Sequence, residues 1–223
     1  MNIWEKLNIQ VNDWDSLLAI KFLENTESGG VFCDVGACRG IVTDLFKSIS
    51  GESGFVYSFE MNINNYNFIK GLESSNCVVE NLAVSDSVGK ADIYSHGNDP
   101  GDHTSNIVGY DTSFSKMNII GSANTTTLDE YFKGKKKLDY LKIDVEGAEL
   151  KVIKGGLQTI KKCKYVIIEC HFESDWQEIF DFLRSNELDF KNLTDDKPIY
   201  YGETIPIPGI GKNGMPYQIY LKQ

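Results

Sequence analysis

The residues best suited to chemistry stand at the ends of short apolar runs. Val31-Phe32-Cys33-Asp34-Val35 leads into Gly36-Ala37-Cys38-Arg39-Gly40, a D-x-G-x-x-x-G arrangement. Its glycines permit a tight turn and a close backbone approach to a ligand. It is not a dinucleotide G-x-G-x-x-G, because Cys38 stands where glycine is needed, and no Gly-Lys-Ser/Thr follows to make a phosphate loop. Asp34 can accept a hydrogen bond from a ligand amine or a bound water, or serve the turn alone. The run Phe55-Val56-Tyr57-Ser58-Phe59 ends in Glu60, twenty residues beyond Gly40. A carboxylate in that register accepts from the two hydroxyls of a ribose, although a lone Glu at a strand end is commonly just solvated. After Cys77-Val78-Val79 come Asn81, Leu82 and Ala83, placed either to read an adenine edge or to leave the sheet through an Asx turn.

Two later runs carry more. Tyr140-Leu141-Lys142-Ile143-Asp144 continues into Val145-Glu146-Gly147-Ala148-Glu149. The helix dipole accounts for Glu149 in a first turn but not for Asp144, which is still on the strand. Tyr165-Val166-Ile167-Ile168-Glu169 is followed by Cys170-His171, and strand alternation puts Glu169 and His171 on one side. Such a pair suits general-base chemistry on a hydroxyl, with His171 taking the proton and Glu169 orienting it or holding the acceptor. Asp144, Glu169 and His171 also make a ligand set for a divalent cation such as Mg²⁺. His96 and His103 lie in or beside a polar loop and either line an acceptor site or are solvated.

Between the runs, helical spacing recurs. Ile41, Leu45, Phe46 and Ile49 form one stripe, and Ile63, Tyr66, Phe68, Ile69 and Leu72 another with Asn62 as N-cap. Thr127 to Glu130 offers a capping box for a short helix. Leu150, Val152 and Ile153 precede a break at Gly155-Gly156. Ser174 with Gln177 offers a second capping box, opening a helix striped by Trp176, Ile179, Phe180 and Leu183. Strands alternating with helices predict a parallel sheet covered on both faces, which binds ligands beyond the carboxyl ends of its strands. Ala91-Asp92-Ile93-Tyr94 reads as a further, more polar strand. A strand near 188–193, a Gly/Pro-rich turn and Tyr217-Gln218-Ile219-Tyr220-Leu221 predict an antiparallel edge hairpin. Residues 96–123 are polar and aperiodic, the pattern of a substrate loop or lid. Residues 1–28 read as an N-terminal helical cap, and 1–223 as one domain.

The net charge is −10, and no basic block exceeds Lys135-Lys136-Lys137. This argues against a nucleic-acid partner. Five scattered cysteines read as reduced core thiols of a cytoplasmic protein. Met1 to Leu23 carries charged residues throughout and reads as neither a signal peptide nor a membrane span.

Phe32-Cys33-Asp34-Val35-Gly36-Ala37, Phe59-Glu60, Thr127-Leu128-Asp129, the block from Leu141 to Glu149, and Ile168-Glu169-Cys170-His171 together resemble the FkbM-family methyltransferases in order and spacing. The Lys-Ile-Asp-Val-Glu-Gly-Ala-Glu block is the most specific element. The resemblance implies a class I methyltransferase (Rossmann-like) three-layer α/β sandwich: a mostly parallel seven-stranded sheet, order 3-2-1-4-5-7-6, with an antiparallel edge hairpin. It implies S-adenosylmethionine as methyl donor and O-methylation of a hydroxyl on a sugar, a glycan or a related small molecule. The cofactor positions are then Asp34, Gly36, Ala37, Gly40, Glu60, Met61, Asn81, Ala83 and Asp144, and the catalytic ones His171, Asp144 and Glu169. Cys38-Arg39-Gly40 stands where many relatives have Asn-x-Gly, and Met61 where many have Pro. Two other readings compete. One is an NAD-dependent oxidoreductase, disfavoured by the missing G-x-G-x-x-G and by a closing strand after residue 215. The other is a non-catalytic cofactor-binding module of the same fold, disfavoured by acidic groups after four of the strands.

Overall fold

Strand β1, Val31–Val35, is buried at every position because parallel strands flank it and helices cover both of its faces. Its side chains alternate between two cores. Val31, Cys33 and Val35 point into one with Leu128, Val152, Ile153, Ile179 and Leu183. Phe32 points into the other with Phe22, Val42, Phe46 and Ile69. A strand with no polar face must be apolar throughout, and Asp34 is the exception that the site explains below.

These features come from a computed structural model that describes residues 21–96, 104–109, 116–135, 137–171, 173–193 and 217–222. The strands are β1, β2 (Phe55–Phe59), β3 (Cys77–Glu80), β4 (Ala83–Val84), β5 (Gly89–Ser95), β6 (Asn118–Thr126), β7 (Tyr140–Ile143), β8 (Tyr165–Cys170), β9 (Lys191–Asn192) and β10 (Tyr217–Lys222). The helices are α1 (Ile41–Ser50), α2 (Ile63–Ile69), α3 (Leu128–Tyr131), α4 (Glu149–Gly155), α5 (Leu157–Ile160) and α6 (Glu173–Ser185). The main sheet has seven strands in the order β3-β2-β1-β7-β8-β10-β9. Counted within this sheet alone, that is the expected 3-2-1-4-5-7-6. β10 is antiparallel to both of its neighbours, pairing Ile219 with Ile168 and with Asn192.

The expected local signals hold in part. The Asn62 side chain accepts from the Asn64 amide at 3.0 Å and caps α2. Thr127 accepts from the Glu130 amide at 3.0 Å and caps α3. Asp129 spans the break at Gly155-Gly156: its two oxygens accept from the Gln158 and Thr159 amides at 3.1 and 2.7 Å and cap α5. α6 begins at Glu173, one residue before the expected N-cap Ser174, whose side chain lies outside the described residues; Gln177 donates forward to Asp181 at 2.8 Å.

A second sheet, in the order β4-β6-β5, was not anticipated. It takes up Ala91 to Tyr94 in β5, and β6 begins at Asn118, so the last part of the expected loop 96–123 is strand. β6 is mostly exposed, with Ala123, Thr125 and Thr126 buried. A solvated strand needs no apolar alternation and is held by its backbone ladder. Within the polar segment, Asn106 pairs with Tyr94, and its side-chain oxygen accepts from the Val108 and Gly109 amides. His103 lies outside the described residues, as does the Gly/Pro-rich turn before β10.

Of the expected N-terminal cap, residues 21–25 are helical and residues 1–20 lie outside the described residues. Phe22 is fully buried, edge-on to Phe46 and Tyr165 at 4.7 and 5.6 Å. Of the cysteines, Cys33, Cys77, Cys163 and Cys170 are buried free thiols and Cys38 is half-buried. Among the described residues, no helix is long and apolar enough to cross a membrane.

Candidate active site

A cavity of about 520 Å³ opens at the carboxyl ends of β1, β2, β7 and β8. That volume lies within the roughly 300–1,000 Å³ usual for small-molecule and cofactor sites. Gly36, Ala37, Glu60, Met61, Ala83, Asp144 and Glu169 of the expected residues line it, while Asp34, Gly40, Asn81 and His171 do not.

The turn after β1 is shaped by backbone proximity. Gly36 has φ +82, and a β-carbon there would lie 1.7 Å from the Asp144 carbonyl oxygen, so only glycine lets β1 and β7 part at this point. The Gly36 and Ala37 amides both donate to the Phe59 carbonyl, tying the turn to the end of β2. Gly40 lies one turn further on, as the left-handed N-cap of α1, where a β-carbon would meet Leu72 at 2.8 Å.

Glu60 projects from the end of β2 across this turn. Its Oε2 accepts from the Cys38 amide and its Oε1 from the Asn62 amide, both at 2.7 Å. Burial pushes its carboxyl up to about 7, against two amides that favour the charged form. Asn81, expected at an adenine edge, is used otherwise: its Nδ2 donates to the Glu60 and Met61 carbonyls at 2.8 and 3.0 Å and braces the strand end. Met61 packs with Ile107 and Ile120 against Ala83 and Ile93, so the second sheet forms one wall. Ser105 and Ile107 bring the described part of the polar segment into the lining, and Ser105 Oγ accepts from Asn62 Nδ2 at 3.2 Å.

Asp34 turns inward and not toward a ligand. It is fully buried, with Oδ2 accepting from the Thr43 hydroxyl at 2.7 Å and Oδ1 3.4 Å from the Lys142 ammonium. Lys142, a residue given no role from sequence, lies at the centre of the site. Its Nζ donates to the Gly36 carbonyl at 2.9 Å and is 3.1 Å from Asp144 Oδ2. Burial opposes the ammonium, but Asp144 and Asp34 more than offset it and hold its pKa above the ordinary lysine value. The clue was a lysine inside a strand whose four residues are all buried.

Glu149 is the other residue that sequence reasoning undervalued. The helix dipole was reason enough for it there, yet its side chain is 2% exposed and its Oε1 contacts His171 Nδ1 at 2.8 Å. The same oxygen accepts from the Gly147 amide at 3.0 Å. Glu149, not Glu169, therefore holds the imidazole. The other ring nitrogen, Nε2, faces Glu146 Oε2, Asp144 Oδ1 and Glu169 Oε1 at 3.4, 3.6 and 3.9 Å. Burial alone would lower the His171 pKa; Glu149 and Glu146 outweigh it and keep the ring protonated well above its usual range. His171 does not itself line the cavity, and its Nδ1 is tied to Glu149, so the ring stands behind the carboxylates of the wall. Burial, and then the Asp144 charge, pushes the Glu169 carboxyl upward. Glu146, at φ +54 in the turn after β7, joins Glu60, Asp144 and Glu169 as a fourth carboxylate in the cavity wall.

A seven-stranded sheet in this order, with a cavity over the turn after β1 and an acidic residue ending β2, defines a class I methyltransferase architecture. Solved structures agree. An FkbM methyltransferase from Methylobacillus flagellatus KT superposes with a TM-score of 0.57 at 13% identity, over 88% of this chain and 44% of that one. A precorrin-6y C5,15-methyltransferase from Geobacter metallireducens GS-15 gives 0.53 at 10% identity, over 95% and 89%. Fibrillarin of Aeropyrum pernix, in complex with S-adenosyl-L-methionine, gives 0.51 at 11%, over 92% and 73%. No curated protein matches the sequence. The family model for the methyltransferase FkbM domain matches residues 34–191. The chain belongs to the FkbM family of S-adenosylmethionine-dependent methyltransferases, and it spans less than half the length of the Methylobacillus relative.

Proposed function

We propose that the protein transfers the methyl group of S-adenosylmethionine to a hydroxyl of a sugar, a glycan or a related small molecule. The observation that carries this reading is the placement of Glu60. Its carboxylate is fixed by two backbone amides and lines the cavity opposite the Gly36-Ala37 turn. Glu60 would accept from the ribose hydroxyls, Met61, Leu82 and Ala83 would flank the adenine, and Gly36 and Asp144 would hold the methionine moiety. Such binding would present the methyl group to the carboxylates at the ends of β7 and β8.

Alignment of sulfur, methyl and acceptor oxygen supplies most of the catalysis. The acceptor hydroxyl sits against Asp144 and Glu169, and a carboxylate of the cavity wall takes its proton as the bond to carbon forms. His171, anchored by Glu149, is a positioning residue behind them. A net charge of −10 and an acidic rim favour a neutral, hydroxyl-rich acceptor over a nucleic acid. The experiment is methyl transfer from labelled S-adenosylmethionine to a panel of nucleotide sugars and glycosides, with mass spectrometry locating the methyl. An O-methylated product is expected. Binding of the cofactor without transfer to any hydroxyl acceptor would favour a non-catalytic module.

A further inference from the structure

Lone pairs converge on one point at the acceptor end of the cavity. His171 Nδ1 is committed to Glu149 at 2.8 Å. That leaves Nε2 facing Asp144 Oδ1 at 3.6 Å and Glu169 Oε1 at 3.9 Å. One ligand atom from each of the three residues lies within 4.8 Å of the others. The spacing in front of Nε2 is wider than a short hydrogen bond. An N–H···O bond to a carboxylate spans about 2.7–3.2 Å, and every carboxylate oxygen in front of Nε2 is 3.4 Å away or more. A metal ion accounts for it. Ligands about 2.0–2.2 Å from one ion lie about 3 Å apart at right angles and farther apart as the angle opens.

We propose that Asp144, Glu169 and His171 bind a first-row divalent cation of the Mn²⁺ type. Two observations outside the ligand set point the same way. Buried Glu149 backs the imidazole at Nδ1, as a carboxylate behind a metal-bound histidine does, fixing both ring orientation and tautomer. Asp144 is divided in use: Oδ2 meets Lys142 at 3.1 Å while Oδ1 faces Nε2. Two carboxylate oxygens and one imidazole nitrogen suit Mn²⁺ better than Mg²⁺, which prefers an all-oxygen shell.

Asp144 and Glu169 line the cavity, so the ion's open positions face the acceptor. Its catalytic role rests on the methyl transfer proposed above; its binding does not. A hydroxyl held on the ion gives up its proton more readily. In the step, the acceptor O–H bond breaks and its proton passes to the Glu146 carboxylate. The oxygen–methyl bond forms as the sulfur–methyl bond breaks, and the sulfur keeps that electron pair as S-adenosylhomocysteine.

The test is Mn²⁺ titration of the whole protein, followed by loss of the free-ion EPR signal. One ion per chain is expected. Pulsed EPR of that complex should show nitrogen coupling from a single imidazole, a readout that needs no variant. Glu169→Gln and His171→Asn should each weaken binding at least tenfold, while Glu60→Gln binds Mn²⁺ as wild type does. Absence of Mn²⁺ binding at millimolar ion, absence of nitrogen coupling, or unchanged affinity in both ligand variants would each overturn the site. Calorimetry with S-adenosylhomocysteine on the same preparations separates the two ideas. Mn²⁺ binding without nucleoside binding defeats the methyltransferase reading alone, and the reverse defeats the cation site alone.

Discussion

Replacing Lys142 with Met keeps most of the side-chain volume and removes the charge that organises the site. Asp34 is fully buried, and its Oδ1 has no hydrogen-bond partner, so the Lys142 ammonium at 3.4 Å is what compensates it. Lys142 also bonds the Gly36 carbonyl and Asp144, so three elements loosen at once. Breaking a buried ion pair from one side costs about 3–5 kcal/mol, because the remaining charge is left uncompensated. Lys142→Met should therefore lose about 3 kcal/mol in urea denaturation at pH 7. Asp34→Asn added to it removes the orphaned charge, and the double variant should recover about 2 kcal/mol of that loss, a coupling well above the error of additive sites. The raised pKa of Lys142 means that its contribution is complete below the unfolded value of 10.5 and is lost only as pH rises through the higher folded value. The lysine itself then gives no pH dependence between 6 and 9. A Lys142→Met loss below ~1 kcal/mol, or strict additivity with Asp34→Asn, would refute the reasoning.

Three further outcomes follow from the same geometry. Gly36→Ala forces a β-carbon against the Asp144 carbonyl at positive φ, and should cost more than ~2 kcal/mol while weakening S-adenosylhomocysteine binding at least tenfold; unchanged thermal unfolding and affinity would contradict the close approach. Glu60, with its folded pKa raised from 4.5 to about 7, must ionise to accept from a ribose. Affinity for S-adenosylhomocysteine should then rise about tenfold from pH 6 to pH 8 and stay flat in Glu60→Gln. The same shift, taken as stability of the free protein, favours the fold below 4.5 and is lost as pH rises through about 7. Asp129→Ala uncaps α5 and should cost ~1 kcal/mol with no change in nucleoside affinity, since Asp129 holds the Gln158 and Thr159 amides and does not line the cavity.

The sheet was legible because its strands are buried on both faces and therefore read as continuous apolar runs. Strand order needed the family resemblance, since the alternation of runs and helices does not fix it. The second sheet was hidden for the opposite reason: Asn118, Ser122 and Asn124 are solvated, and a backbone ladder leaves no trace in side-chain pattern. Site residues split along the same line. Glu60 and Asp144 point into the cavity, as position at a strand end suggested. Asp34 occupies an equivalent place but alternation turns it toward Thr43 and Lys142. Asn81 is drawn away by two carbonyls that sequence cannot place beside it. Glu149 had a sufficient local explanation, which concealed a contact made across twenty-two residues. Local rules identify what a residue is able to do, and tertiary neighbours decide which of those options is taken.

Calorimetry of S-adenosylhomocysteine against wild type and Glu60→Gln tests the central claim most directly. The account predicts one nucleoside per chain, bound about ten- to a hundredfold more weakly by the variant as charge-assisted hydrogen bonds to the ribose are lost. No binding by wild type, equal binding by both proteins, or binding of NADH in its place would contradict it.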